Sequence, residues 1–292
     1  MQSPPLLHQQ RNPQTFCQEA VMWKRLIHPN VLPLLGVTID SFQLISNWMS
    51  GGHLLGYIQN NSDVDRLALV GIPPLHFPQT YSHYQLLDVA KGLCYLHSCN
   101  VVHGDLKGVR GCSKFCSATI FTYYQLNVLV NDSGHACIAD FGLATVAKTL
   151  DSIESATCQR GHSARWAAPE VLGEGTHSKE ADVFSFAMVM IEVCHRRSTM
   201  HRALAYRRFM TIQVFTGMIP FSNDTSAMAM LATIQGKRPP RPTHPTLTKD
   251  LWALMQRCWD HDPHLRPEVS EALQDLTLSV FLSAPTITHS SA

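Results

Sequence analysis

Charge is scarce in this 292-residue chain: Asp, Glu, Lys and Arg make up 15% of it and cancel to a formal net charge of +1 with histidine neutral. No global field remains to draw it onto nucleic acid or an anionic membrane, and neither is expected as a partner. No apolar run approaches the ~18 residues that a membrane span requires. The opening MQSPPLLHQQRNP lacks the basic-then-apolar order of a secretory leader. The nine cysteines are odd in number and follow no disulfide rhythm, which points to reduced thiols and a cytoplasmic protein. A zinc site is not expected either, because Cys112 and Cys116 are followed by no second ligand pair at suitable spacing.

What the chain does have is apolar residues, 45% of the total, enough to bury a sizeable core. Residues 14 to 27 carry Phe16, Ala20, Trp23 and Leu26 at helical spacing, and Pro29 stops the run. VLPLLGVTID and FQLISNW read as two strands turning at Asp40 and Ser41. Beyond Gly51-Gly52 the pattern is mainly helical, in DVAKGLCYLH, SKEADVFSFAMVMIEV, LTKDLWALMQRCW and PEVSEALQDL. NVLVN and HACIAD predict a short hairpin around Asp132, Ser133 and Gly134. A small strand-bearing start followed by a large helical body is an α+β arrangement.

Three groups of residues suit phosphoryl transfer, which needs a carboxylate to orient a hydroxyl and oxygen ligands to hold Mg²⁺. They are HGDLK at 103–107, Asn127, and DFG at 140–142. With Ala168-Pro169-Glu170 in RWAAPEVL, Glu19 ahead of His28-Pro29-Asn30, Asp182 in ADVFSFAMV and Arg266 in DPHLRP, the order from about residue 14 to 280 resembles the eukaryotic protein kinases. RWAAPE and HPNVLPLLGV are most similar in style to the tyrosine-kinase-like group, whose members mostly modify Ser or Thr.

The resemblance implies a bilobal protein-kinase fold, with residues 14–48 as a reduced N-lobe (one helix, two strands) and 49–282 as the helical C-lobe. Residues 1–13 and 283–292 are left unassigned. It implies ATP and Mg²⁺ as cofactors and a protein as substrate or binding partner. Asp105 would be the catalytic base and Lys107 would neutralise the γ-phosphate. Asn127 and Asp140 would hold Mg²⁺, and Glu19 would pair with a lysine on the third strand. Ser46 falls at the gatekeeper, with Asn47, Trp48 and Met49 at the hinge that receives adenine. Glu170 and Arg266 would form a buried ion pair, Asp182 would anchor the catalytic loop, and Trp23, Leu34, His103 and Phe141 would stack as a spine.

The sequence departs from the family in three ways. Residues 1–13 contain no lysine and no glycine, so the glycine-rich loop and the lysine strand are not found ahead of Glu19, and impaired activity is expected of the chain as written. The arginine before the catalytic Asp is Gly104, so activity is expected to be independent of phosphorylation at Thr145, Thr149, Ser152, Ser155 or Thr157. Finally, segments 70–85, 109–125 and 193–213 are surplus to the pattern. Each begins with Val and ends with Gln, as a short intron from GT to CAG would when read in frame. Retained introns and surface loops are both open readings. The middle segment is expected to loosen the relation of Asn127 to Asp105, and catalysis tolerates little displacement. A phosphotransferase and a non-catalytic binding module therefore both remain possible at this point.

Overall fold

The computed structural model describes residues 13–54, 56–57, 80–107, 127–141, 144–146, 164–194, 219–242 and 247–282. Gly142, segment 109–125 with Cys112 and Cys116, and Thr149, Ser152, Ser155 and Thr157 lie outside the described residues, as do the two chain ends and most of segments 70–85 and 193–213.

The chain enters through helix α1 (Pro13–Lys24), which buries Phe16 and Trp23 two turns apart. Its end comes three residues earlier than the sequence pattern predicts. Arg25 and Leu26 bond back three residues, to Met22 and Trp23, because the backbone ahead of Pro29 is turned away from helical angles. Strands β1 (Leu34–Thr38) and β2 (Gln43–Ser46) pair antiparallel, with a register shift between Leu34 and Gly36. Short strand β3 (Gly52–His53) belongs to a second sheet.

Helix α2 (Thr80–Ser98) presents Leu86, Val89, Ala90, Leu93 and Leu96 to the core. It stops at Asn100, which takes a left-handed φ of 58° that a short polar side chain tolerates. Gly92 is required for close approach: a Cβ there would lie 2.5 Å from the carbonyl oxygen of Asn30. Strand β4 (Val101–Val102) follows. Then β5 (Val128–Val130) and β6 (Ala136–Ile138) form the expected hairpin, with Val128 opposite Ile138 and Val130 opposite Ala136. Asn131 Oδ1 accepts from the amides of Ser133 and His135, and Gly134 has a φ of 81°. Strand β7 (Thr145–Val146) pairs antiparallel with β4.

Helix α3 (Pro169–Gly173) leads to α4 (Lys179–Cys194), in which every residue from Ala181 to Val193 is buried, as suits a helix surrounded by others. Helices α5 (Ser226–Ile234), α6 (Lys249–Cys258) and α7 (Val269–Leu282) complete the body. Thr225 and Thr248 cap α5 and α6 by accepting from Met228 and Leu251 amides. A contiguous buried cluster runs from Trp23 through α2, the hairpin and α4 to Leu276. No helix among the described residues is long and apolar enough to cross a membrane.

Two of the surplus segments touch this frame. Residues 80–85 fold as the first part of α2, and Val193 and Cys194 end α4. Gln85 is 4% exposed, and its Oε1 is buried with no hydrogen-bond partner, while its amide reaches Gly134 O only at 3.5 Å. Gln85→Leu is therefore expected to stabilise the fold by about 1 kcal/mol, because it removes an unsatisfied buried acceptor. Equal or lower stability of that variant in urea unfolding would show that the glutamine is doing something the apolar side chain cannot.

Candidate active site

The residues picked from sequence converge where β4 ends and the β5–β6 hairpin begins. Asp182, 1% exposed on α4, accepts from the amides of His103 at 2.8 Å and Gly104 at 2.9 Å and from His97 Nε2 at 3.0 Å. Its carboxylate thus fixes the loop that carries Asp105. Burial alone would raise the Asp182 pKa. The hydrogen bond and charge of His97, with the Gly104 amide, outweigh that and hold it below its ordinary 3.8. Gly104 has a φ of 75°, a backbone conformation that glycine adopts without steric cost.

His103 reads as a defined tautomer. Its Nδ1 accepts from the Asp105 amide at 3.2 Å, so the proton sits on Nε2, which donates to Ala139 O at 3.1 Å. The Ala139 amide in turn donates to Asn127 O at 2.8 Å. Asp140, the next residue, is thereby placed against the loop and adopts a φ of 65°, a strained value for a non-glycine residue. Phe141 packs with its ring centroid 5.7 Å from His103 and 5.3 Å from Trp23, and Leu34 lies in the same buried cluster.

Asp105 is bracketed by two donors. Lys107 Nζ bonds its Oδ2, and Asn127 Nδ2 donates to its main-chain oxygen and, at 3.4 Å, to Oδ2. This overturns the expectation that the long 109–125 segment loosens Asn127 from Asp105. Asp105 is positioned through α4 and Asn127 through the hairpin, so the two anchors work independently of the chain between them. Asn127 is fully buried, and its Oδ1 has no hydrogen-bond partner. A buried, unsatisfied oxygen beside a carboxylate is what a hard cation such as Mg²⁺ would ligate, so the donors present fit that ion.

On the substrate side, Glu170 and Arg266 form a bidentate pair at 2.6 and 2.9 Å. At the edge of β2, Ser46 is half-buried and pairs with Leu34, Asn47 is exposed, and Trp48 is 90% exposed. Met49 packs on the core. Glu19 is half-buried on α1. Lys24 reaches Leu34 O at 3.4 Å.

The family model described as protein tyrosine and serine/threonine kinase matches residues 6–112 and 124–276. The chain belongs to that kinase family. Its relatives include the serine/threonine-protein kinase STY17 of Arabidopsis thaliana, 29% identical over 267 residues, covering 89% of this chain and 36% of STY17. The serine/threonine-protein kinase TNNI3K of Mus musculus is 28% identical, covering 94% of this chain and 28% of its own length. The serine/threonine/tyrosine-protein kinase HT1 of Arabidopsis thaliana is 27% identical, covering 88% and 53%. The chain therefore spans about a third of the length of STY17. The tyrosine-kinase-like resemblance agrees with these relatives.

The candidate site also uses groups that carried no sequence-based assignment. His97, the side-chain partner of Asp182, closes the CYLH stretch, and its place one turn before β4 was the available signal. Arg165 stands in RWAAPE, but its partners are carbonyls of Pro220, Phe221 and Asp224, which no side-chain pattern discloses. Trp166 donates to Glu192 at 3.0 Å and Ser185 donates to Trp166 O at 2.9 Å, tying the APE segment to α4.

Burial lowers the pKa of His28, His53 and His177 from the ordinary 6.5. Each holds a proton less readily in the folded kinase domain than when unfolded. Stability is then full above about pH 6.5 and falls as pH drops through that value. The melting temperature is expected to decline between about pH 7.5 and 5.5, and His177→Phe is expected to flatten part of that decline. A parallel decline in the variant would remove His177 from the account.

Proposed function

We propose that this chain is the greater part of a catalytic domain whose intact parent transfers a phosphoryl group from ATP to Ser or Thr hydroxyls of proteins. The observation that carries the reading is the Asp105–Asn127 arrangement, in which one amide holds the carboxylate while the other end of the same side chain offers a buried, unused oxygen. Asp105 would orient the acceptor hydroxyl and take its proton. Lys107, bonded to Asp105, would hold that carboxylate and stand ready for phosphate oxygens. Asn127 and Asp140 would hold Mg²⁺, which supplies positive charge against the phosphate oxygens. Asn47, Trp48 and Met49 would receive adenine. Glu19 would meet a strand lysine of the parent; β1 and β2 carry none.

Two measurements test it. In the intact parent, Asp105→Asn is expected to cut phosphorylation of a generic Ser/Thr acceptor about 10³-fold, within the range of a lost general base. For the chain by itself weak nucleotide affinity is expected, so Mg-ATP should raise its melting temperature little, and Asp140→Asn should abolish any rise. An active parent indifferent to Asp105→Asn would refute the assignment. An inactive parent would leave a binding module that keeps the fold.

Segments 70–85, 109–125 and 193–213 are proposed to be absent from the processed protein. For the middle segment the family match gives support, since it passes over 113–123, whereas it runs through 70–85 and 193–213. Removing 70–85 would put Leu69 in place of Gln85, the buried residue with the unsatisfied oxygen. Sequencing the transcript decides this, and finding all three segments in mature message would end the idea. A cytoplasmic location is proposed from the free thiols, of which Cys137 and Cys258 are pushed up by burial to about 11 and about 12.

A further inference from the structure

A cavity of about 270 Å³ is walled by the end of α2, the start of α4 and the turn into α7. Asp105, Lys107, Asn127 and Asp140 take no part in its wall. The volume has room for a molecule built on one ring. Cys94, Val183 and Pro267 give it an apolar side.

Its polar side holds groups that the fold leaves unused. His97 is only 8% exposed, and its Nε2 is committed to Asp182. The ring lines the cavity, and its Nδ1 has no hydrogen-bond partner among the described residues. Lys179, the first residue of α4, is half-buried and likewise has no hydrogen-bond or ion-pair partner among the described residues. Helix α7 begins at the same wall. Ala272 N donates to Glu268 O, so the amides of Val269 and Ser270 come ahead of the first intrahelical bond and have no carbonyl one turn back.

An imidazole able to take a proton on Nδ1, an ammonium and a helix N-terminus thus meet at one cavity, and all three favour a negative guest. The opposing charges are Glu180 and Glu268. Both are exposed, where water and salt screen them, and Glu268 also accepts from the Ser270 hydroxyl at 3.2 Å. Arg266, in the same wall, is already spent on Glu170. A bare inorganic anion would leave the apolar side against water, whereas a carboxylate on a ring satisfies both sides.

We propose that this cavity binds a small organic carboxylate, its anion held by His97 Nδ1, Lys179 and the first amides of α7, and its ring against Val183 and Pro267. The guest would touch the back of the His97–Asp182 contact, which fixes the loop carrying Asp105.

The test uses Cys94, a free and half-buried thiol of the cavity wall, as its reporter, with the exposed Cys17 and Cys99 as controls within the same chain. Alkylation by N-ethylmaleimide is followed for each cysteine by peptide mass spectrometry, with benzoate or benzamidine present. Benzoate at about 10 mM is expected to slow labelling of Cys94 about 10-fold, as a Kd of about 1 mM would, and to leave Cys17 and Cys99 unchanged. Benzamidine, alike in size and opposite in charge, is expected to protect nothing. Lys179→Met is expected to weaken benzoate binding about 5-fold, the scale of one charge-assisted hydrogen bond. Ser270→Trp, at a half-buried position in the wall, is expected to abolish protection. Melting temperatures of the free variants close to that of the wild type show that both are folded. No protection by benzoate, equal protection by benzamidine, or protection that survives both substitutions overturns the inference.

Discussion

Asp182→Ala is expected to lower the stability of the domain by about 3–5 kcal/mol, the scale for breaking a buried charged network by removing one partner. The substitution strands the amides of His103 and Gly104 and leaves His97 facing an empty space. Against a typical total of ~5–15 kcal/mol this is a large fraction, and a fall of roughly 10 °C in melting temperature should accompany it. Asp182→Asn is expected to fare little better, because its NH₂ would point a donor at donors. The pH dependence follows from the lowered pKa. The carboxylate contributes fully above its unfolded value near 3.8, and the contribution is lost as pH falls through the lower folded value. Wild type and variant should therefore differ most at neutral pH and converge only in strong acid. A melting temperature within a degree or two of wild type at neutral pH would mean that Asp182 does not hold the loop.

Arg266→Ala is expected to cost a similar amount by a different route. The guanidinium side chain is fully buried and engages both oxygens of Glu170 together with the carbonyls of Glu180 and Asp260. It also lies 5.1 Å from the Phe184 ring centroid, with Arg238 at 5.0 Å. Removing it leaves the largely buried Glu170 carboxylate without its counter-charge, a loss of about 3–5 kcal/mol. Arg266→Lys should recover little, since an ammonium cannot present the paired fork. The double variant Glu170→Leu with Arg266→Met is expected to be more stable than Arg266→Ala alone, because no uncompensated charge remains. Chemical unfolding of the three proteins reads this directly. A double variant as unstable as Arg266→Ala would place the energy in the carbonyl contacts instead of the ion pair.

The parts legible in the sequence were those governed by local rules. Helix α4 followed from the helical spacing of SKEADVFSFAMVMIEV, and the β5–β6 hairpin from Asp132, Ser133 and Gly134 between two strand-like stretches. The pairing of Glu170 with Arg266, 96 residues apart, was available only through resemblance. Less legible were contacts whose partner is backbone. Arg165 looks like an ordinary surface arginine until the carbonyls of the 220–224 loop are brought to it. The spacing of 21 residues between Asp105 and Asn127 misled for a related reason. Chain length predicts separation only when nothing else fixes the two ends, and here α4 fixes one and the β5–β6 hairpin the other.

The tilted packing of Trp23 against Phe141 gives the domain an optical handle of its own. Among the five tryptophans, Trp23 is 6% exposed with its indole N–H committed to Leu32 O, whereas Trp48 stands 90% in solvent. A quencher that cannot enter the core should remove Trp48 emission first and leave a blue-shifted component from the buried indoles. With Trp48 changed to Phe, a swing of Phe141 away from Trp23 would alter the remaining emission, so movement of the DFG segment could be followed without attaching a dye.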